Sequence, residues 1–354
     1  MRKVLLGTSA IIAAATLTTP ALSAERLQLQ LRGYHVGAIA FTDVDGASDA
    51  NEINFGSDSE VQFRGAITLD NGLEVSFRAE LELEDDGDVD GDPDNIDEVY
   101  VQFDGGFGRL QFGQNDGVMD QMHIAAPRIF QRHYANDTSI DPFRPYGLRN
   151  RINTFGEFSG DDIKLNYFTP QMNGLQVGVS YTPNPCKNDT GYAGCVFEEF
   201  ARNYWEVAAT WEVDVNNVEI GLSVGYGQGE SDVSSVDEPT ELTFGGEIGF
   251  GEFTFGGSYA IKETGKFNTE QDHWEVGGIY ATGPWTFGLS YATADGDMNF
   301  NGVSNQEYAS VLGGIRYTYG PGLAIGIGAQ TLDYDEGSTE EDGFAIFIEH
   351  SIAF

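Results

Sequence analysis

Basic residues are scarce in this 354-residue chain: 18 Lys and Arg stand against 56 Asp and Glu, a formal net charge of −38 at pH 7. So few cations leave no footprint for a phosphate backbone, which excludes nucleic acid as a partner. Long hydrophobic runs are missing after residue 20, so no transmembrane helix is expected there. Catalytic motifs are missing too. His35, His123, His133, His273 and His350 are scattered, with no His-x-x-x-His pair, no Cys/His cluster and no Gly-x-Ser-x-Gly context. No catalytic zinc or activated serine is suggested, and the chain does not read as an enzyme. Disorder is excluded by the aromatic residues, which reach 12% and run the length of the chain.

What is present begins with an export signal. Arg2 and Lys3 precede an apolar run from Val4 to Leu17, followed by Thr18-Thr19-Pro20 and the small residues Ala21, Ser23 and Ala24. The run has about 14 residues, short of the roughly 20 a spanning helix needs, so residues 1–24 read as a secretory signal peptide cleaved after Ala24. Residues 25–354 then form a single domain. Losing Arg2 and Lys3 takes the net charge to −40.

Beyond Ala24 the pattern has period two. Leu27, Leu29 and Leu31 alternate with Gln28, Gln30 and Arg32; Leu73, Val75, Phe77, Leu81 and Leu83 alternate with Glu74, Ser76, Arg78, Glu80 and Glu82. One face is apolar and the other charged, the signature of antiparallel strands. A soluble sandwich shares that alternation, but its strands average five or six residues, whereas these segments suit the roughly 9 to 11 of a tilted membrane strand. Short turns (Asp70-Asn71-Gly72, Val215-Asn216-Asn217, Gly320-Pro321-Gly322) alternate with long acidic loops, the rhythm of an up-and-down transmembrane β-barrel. Sixteen strands are predicted, at 26–41, 59–70, 73–83, 96–103, 108–114, 163–169, 174–182, 203–213, 218–228, 240–250, 252–262, 272–281, 285–292, 306–319, 322–333 and 343–354. A further strand at 150–157 would give an odd count and put the chain ends on opposite sides of the membrane. Parity therefore assigns 115–162 to one long loop, whose length implies a function.

The chain ends with Phe344, Ile346, Ile348, His350, Ile352 and Phe354 on one face. With Leu31-Arg32-Gly33-Tyr34, Ile163-Lys-Leu-Asn-Tyr-Phe-Thr-Pro170, Asn173-Gly-Leu-Gln-Val-Gly-Val-Ser-Tyr-Thr-Pro183 and the Trp/Gly/Tyr-rich late strands, the mature chain resembles Gram-negative general porins of the alphaproteobacterial type. The resemblance implies a homotrimer in outer-membrane lipid, a long third loop folded into the lumen, and a terminal Phe354 read by the barrel-assembly machinery. His350 departs from the apolar alternation of that terminal signal, which suggests a subunit contact.

The alternation puts Arg32, Arg64 and Arg78 on the polar face of the first three strands and Arg109 on that of the fifth. They form either a positive wall of the pore or a set of separate pairs with Glu60, Glu74, Glu80 or Glu98. The wall reading, which the resemblance supports, sets them against acidic loop residues, of which Asp116 and Asp120 are the best placed, in a transverse field at the constriction. The loop also carries Arg128, Arg132, Arg144, Arg149 and Arg151. Asp86, Asp88, Asp90, Asp92, Asp94 and Asp97 match the spacing of a Ca²⁺ loop with Gly91 at its sixth position, although Asp replaces Glu at the twelfth; a solvated acidic loop is the alternative. Cys186 and Cys195 share one predicted loop of an exported chain, where a disulfide is expected. Tyr167, Phe168, Tyr181, Trp205, Trp211, Trp274, Tyr280, Trp285, Tyr291, Tyr317 and Tyr319 read as interfacial girdles. The expected function is passive diffusion of small hydrophilic solutes and ions with cation preference, no cofactor being required. A channel with a saturable substrate site and a Ca²⁺-binding structural or adhesion barrel are the alternatives.

Overall fold

The computed structural model describes residues 27–46, 52–83, 96–136, 138–184, 201–231, 237–263, 270–296, 306–335 and 340–354. The signal segment, Asp86 to Asp94, Cys186 and Cys195 lie outside them.

Sixteen strands follow in order: β1 (Gln30–Val44), β2 (Ile53–Thr68), β3 (Glu74–Glu82), β4 (Ile96–Gly105), β5 (Gly108–Gln114), β6 (Ile163–Phe168), β7 (Leu175–Thr182), β8 (Ala201–Val215), β9 (Val218–Ser231), β10 (Thr240–Phe250), β11 (Phe253–Glu263), β12 (Glu270–Thr282), β13 (Trp285–Gly296), β14 (Gln306–Gly320), β15 (Leu323–Asp335) and β16 (Glu340–Ala353). Each pairs antiparallel with its neighbour in sequence, and β1 with β16, which closes the barrel and leaves no sheet edge. At the seam, Gly33 and Phe354 exchange backbone hydrogen bonds of 3.0 and 2.9 Å. Residues 150–157 form no strand, as parity required.

Several strands outrun their expected bounds. β2 begins at Ile53, six residues before the expected start, and β1 continues to Val44, paired with Gly343. The hydrogen-bonded ladder thus continues toward the long loops, and in β2 the outward alternation continues with it through Phe55 and Ile53. At the opposite end the turns are tight. Asn216 and Asn217 both have φ near +60°, at 54° and 62°, the two-residue hairpin geometry that Asn tolerates and whose twist matches the strands.

Large apolar side chains such as Phe63, Trp205, Leu222, Phe255 and Ile348 point outward and are exposed. Rings of Phe253 and Tyr280 (4.8 Å) and of Trp285 and Tyr317 (4.5 Å) sit near the short-turn rim, and Tyr181 with Trp205 (4.3 Å) near the other. Phe168 does not belong with them. It is 2% exposed and points to the opposite face, since it follows Lys164 and Asn166 in the alternation of β6, whereas Leu165 and Tyr167 look outward. The buried apolar groups lie between the strand wall and segment 115–162. Phe130, Phe143, Leu148 and Ile152 pack with Leu312, Leu332, Ala345 and Phe347; Val118, Met119 and Met122 pack with Phe168 and Ala208.

Candidate functional site

Directly opposed residues of an antiparallel pair share a face, so strand register decides where the arginines meet. Arg64 lies opposite Arg78, Arg78 opposite Tyr100, Arg32 opposite Gln62, and Arg109 opposite Asp104. All four arginines turn away from the face of Leu31, Phe63 and Phe112. They line one cavity of about 1000 Å³, together with Gln28, Gln30, Tyr100, Gln102 and Gln111 of the wall and Gln121 of segment 115–162.

Three of these arginines are also paired. Arg64 is 3.6 Å from Glu80; Arg78 bonds Glu80 and lies 3.4 Å from Glu98; Arg109 is 3.3 Å from Asp104, which is not among the carboxylates expected by sequence. Arg78 leans over Tyr100 and Arg109 over Phe168, at 5.9 and 5.5 Å from the ring centres. Among the described residues Arg32 makes no ion pair. The guanidiniums are thus tethered by carboxylates and at the same time line a cavity.

Segment 115–162 runs along the other wall. It opens with the short helix α1 (Val118–Gln121). The Val118 N–H donates to Ser180 of β7 (2.8 Å), Met119 to Glu206 of β8 (3.2 Å), Ile124 to Ser223 of β9 (3.0 Å) and Ala126 to Glu275 of β12 (3.0 Å). Glu349 of β16 then accepts from the N–H groups of Gln131 (2.7 Å) and Arg132 (3.0 Å) and sits 2.9 Å from His133 Nδ1. Arg132 reaches Asp58 of β2 at 3.1 Å. The chain returns past β12 and β11, with the Asn153 N–H donating to His273 (3.2 Å) and Thr154 Oγ1 meeting Ser258 Oγ (2.6 Å), and ends where the Ser159 hydroxyl bonds Glu206. Lys164, 2% exposed, closes the neck by donating to the carbonyls of Asn115 and Gly160. Glu206, Glu275 and Glu349 are thus three buried carboxylates on every fourth strand, each satisfied by segment donors.

The acidic residues singled out by sequence fall differently. The Asp116 N–H donates to Glu98 (3.3 Å), and the carboxyl oxygens of Glu98, Asp116 and Asp161 lie within 4.8 Å of one another. Burial, then the charges of Asp120, Asp161 and Glu98, push the Asp116 carboxyl well above the ordinary carboxylate range. Asp120 lies in the first turn of α1; the segment residue on the arginine cavity is Gln121. Asp97, the last position of the Ca²⁺-like spacing, has its carboxylate within 4.8 Å of those of Glu60 and Glu80. His123 is lowered to about 4 by burial, helped by Lys262 and Arg128.

The anchors Glu206, Glu275, Glu349 and Lys164 were not foreseen. A signal for the three glutamates was nonetheless present, since each stands between two outward residues, in Trp205-Glu206-Val207, Trp274-Glu275-Val276 and Ile348-Glu349-His350. An acid so placed must face inward.

In fold the chain is similar to an anion-selective porin from Comamonas acidovorans (TM-score 0.64, 18% identity, 93% of this chain and 100% of that one). It is also similar to OmpF of Salmonella typhi in complex with daunomycin (TM-score 0.62, 13%, 92% and 98%) and to OmpT of Vibrio cholerae in its trimer form (TM-score 0.61, 13%, 93% and 100%). Among curated proteins it matches an uncharacterized protein of Rickettsia typhi, 22% identical over 220 residues, which is 52% of this chain; the match spans about half, 48%, of that relative's length. A family model described as Gram-negative porin matches residues 8–337. With that match across nearly the whole length of a closed sixteen-strand barrel, the chain belongs to the Gram-negative porin family, barrels of the outer membrane.

Proposed function

We propose that small hydrophilic solutes and ions pass through the space between segment 115–162 and the wall of β1 to β5, and that this segment is the lumenal constriction. One observation carries the reading: the segment is bonded along β7, β8, β9, β11, β12 and β16 and is also tied to β2, β4 and β5 by Arg132 with Asp58, Asp116 with Glu98 and Gln121 with Gln111, while Arg32, Arg64, Arg78 and Arg109 on the β1 to β5 wall line a cavity of about 1000 Å³. The guanidiniums orient solute dipoles, and the neutral amides beside them replace part of the solute's hydration. Passage is passive and needs no covalent step.

Cation preference is the proposed selectivity. The net charge of −38 concentrates cations at the mouths, while three of the four wall arginines are offset by Glu80, Glu98 and Asp104. Selectivity in the Comamonas porin points the other way, but likeness at 18% identity is one of fold. Single-channel current and reversal potential under a KCl gradient test both proposals. Steady steps with a cation-directed potential are expected; correctly folded protein that carries no current overturns the diffusion reading.

The working assembly is proposed to be a homotrimer, exported with loss of residues 1–24 and inserted through recognition of Phe354. Polar pairs on the otherwise apolar exterior, His35 with Ser59 (2.6 Å) and Tyr319 with His350 (2.5 Å), support a covered rather than a lipid-facing surface there. Ca²⁺ on the acidic loop ending at Asp97 and a disulfide between Cys186 and Cys195 are proposed to stiffen the outer rim.

A further inference from the structure

We propose that the pocket between residues 138 and 157 is a second anion station, in which Arg144, Arg149 and Arg151 take the carboxylate or phosphate group of a small solute before it reaches the wall of β1 to β5. The inference rests on segment 115–162 lying in the lumen.

The sequence here pairs an apolar residue with an arginine three times: Phe143-Arg144, Leu148-Arg149 and Arg151-Ile152. Phe143, Leu148 and Ile152 are 0, 2 and 1% exposed, seated against Leu332, Ala345 and Phe347, whereas each neighbouring arginine is exposed. Local hydrogen bonds hold this arrangement. Asp141 accepts the N–H groups of Phe143 (2.9 Å) and Asn150 (2.8 Å), Asn150 Oδ1 accepts that of Ile152 (3.0 Å), and a 3-10 turn spans Arg144–Tyr146. The three arginines thereby surround a cavity of about 430 Å³, with Thr138, Ser139 and Asn153 also on its lining.

Two carboxylates share that cavity, and both are engaged. Asp141 is held by backbone amides, and Glu157 accepts from Asn153 Nδ2 at 2.7 Å. Three guanidiniums against two carboxylates leave the lining positive in a chain of charge −38. A guanidinium fork matches the two oxygens of a carboxylate or phosphate, and the volume suits a small solute rather than a macromolecule.

Position makes the site a station. Tyr146 meets Asn54 of β2 (2.5 Å), and Phe143 packs on Gly343 of β16, both at the long-loop end. The cavity of Arg32 and Arg64 extends instead to Thr68 and Asp70, at the short turn joining β2 to β3. An anionic solute entering from the long-loop end therefore meets the segment arginines first and the wall arginines second.

The test is block of KCl current through the whole protein in a planar bilayer, with succinate, inorganic phosphate or glucose added to one side at a time. Succinate or phosphate from the long-loop side is expected to interrupt the current, and glucose not. Replacing Arg144, Arg149 and Arg151 together by Gln should weaken that block about tenfold, or ~1.4 kcal/mol, while R32Q/R64Q weakens block from the opposite side. A triple Lys variant, which keeps the charge but not the fork, should lose less, and serves equally if the Gln variant folds poorly. A preference for succinate or for phosphate names the oxyanion. Equal block of wild type and both triple variants, or equal block by glucose, overturns the station; absence of any KCl current from the native protein overturns the diffusion reading and the station with it.

Discussion

Arg64 and Arg78 stand directly opposite one another on β2 and β3, and Glu80 touches both. Like charges in directly opposed positions destabilise a strand pair, so Glu80, whose side chain is 4% exposed, holds this part of the wall together. Glu80→Gln is expected to lower barrel stability by about 2 kcal/mol, below the value for a fully buried pair because both arginines are partly exposed. Unfolding in urea from lipid vesicles measures it. A stability unchanged within experimental error would show that the arginines avoid each other without help.

The same wall predicts a selectivity change. Replacing Arg32, Arg64 and Arg78 by Gln should shift the reversal potential further toward cations and raise the conductance. In the native protein, cation preference should fall between 0.1 and 1 M KCl, because the Debye length shrinks from about 10 to 3 Å and the acidic loops lose their hold on the mouths. A potential indifferent to both changes would remove the wall and the mouths as determinants.

How far these features were legible depends on which residues have a period. Strands did, because Leu31, Phe63 or Phe255 must meet lipid while their neighbours must not, and parity then excluded a strand at 150–157. Arg32, Arg64, Arg78 and Arg109 fell on one face by the same count. The path of segment 115–162 had no period to read, so Asp116 and Asp120 were favoured from their nearness to β5, whereas Gln121 reaches the arginine cavity. Phe168 was misplaced because aromatic content was weighed ahead of the alternation of β6. The carboxylates of β8, β12 and β16 were visible as inward positions but had no readable partner, since their donors are backbone amides of an aperiodic segment.

Those carboxylates predict a mobile segment when they are removed. Glu349→Gln keeps the shape but replaces an acceptor of two backbone N–H groups and of His133 by a neutral amide; with Glu206→Gln, both ends of the outward path of the segment are weakened. The double variant should fold, conduct with larger and noisier steps, and be cleaved within 119–133 by protease faster than wild type. Steps and cleavage rates matching wild type would mean that the apolar contacts of Phe130 and Met119 suffice.

Titration of His123 and of Asp116 should act on the segment in opposite directions. The His123 pKa is lowered to about 4 from 6.5, so its contribution to the seated state is complete above 6.5 and is lost as pH falls toward 4, where a detached segment binds the proton more readily. Asp116 is raised, so its contribution is present below the ordinary carboxylate pKa and declines as pH climbs through the raised one. Between 4 and 6.5 the two contributions oppose each other, so open-channel noise should stay level there and rise as pH climbs above 6.5. Asp116→Asn should remove that alkaline rise and leave noise growing below 6.5, whereas His123→Gln should carry the rise down toward the ordinary carboxylate range; a profile that neither variant alters would assign the noise elsewhere.

Close approach of the segment to the wall needs a position without a side chain. Gly245 of β10 faces inward beside Ser223, and a Cβ there would fall well inside van der Waals contact of the Ile124 carbonyl oxygen. The Ile124 N–H is at the same time bonded to Ser223 (3.0 Å), so the backbone cannot yield without losing that bond. Gly245→Val should push Ile124 off the wall toward the arginines and narrow the path, which lowers single-channel conductance while the barrel still assembles. Gly249→Ala is the matched control on the same strand, since its Cβ would find the nearest atom at 3.4 Å and touch no residue of the segment. A fall in conductance at Gly245 alone ties pore size to the seating of Ile124; equal conductance in both variants would show that the segment is not what bounds the pore.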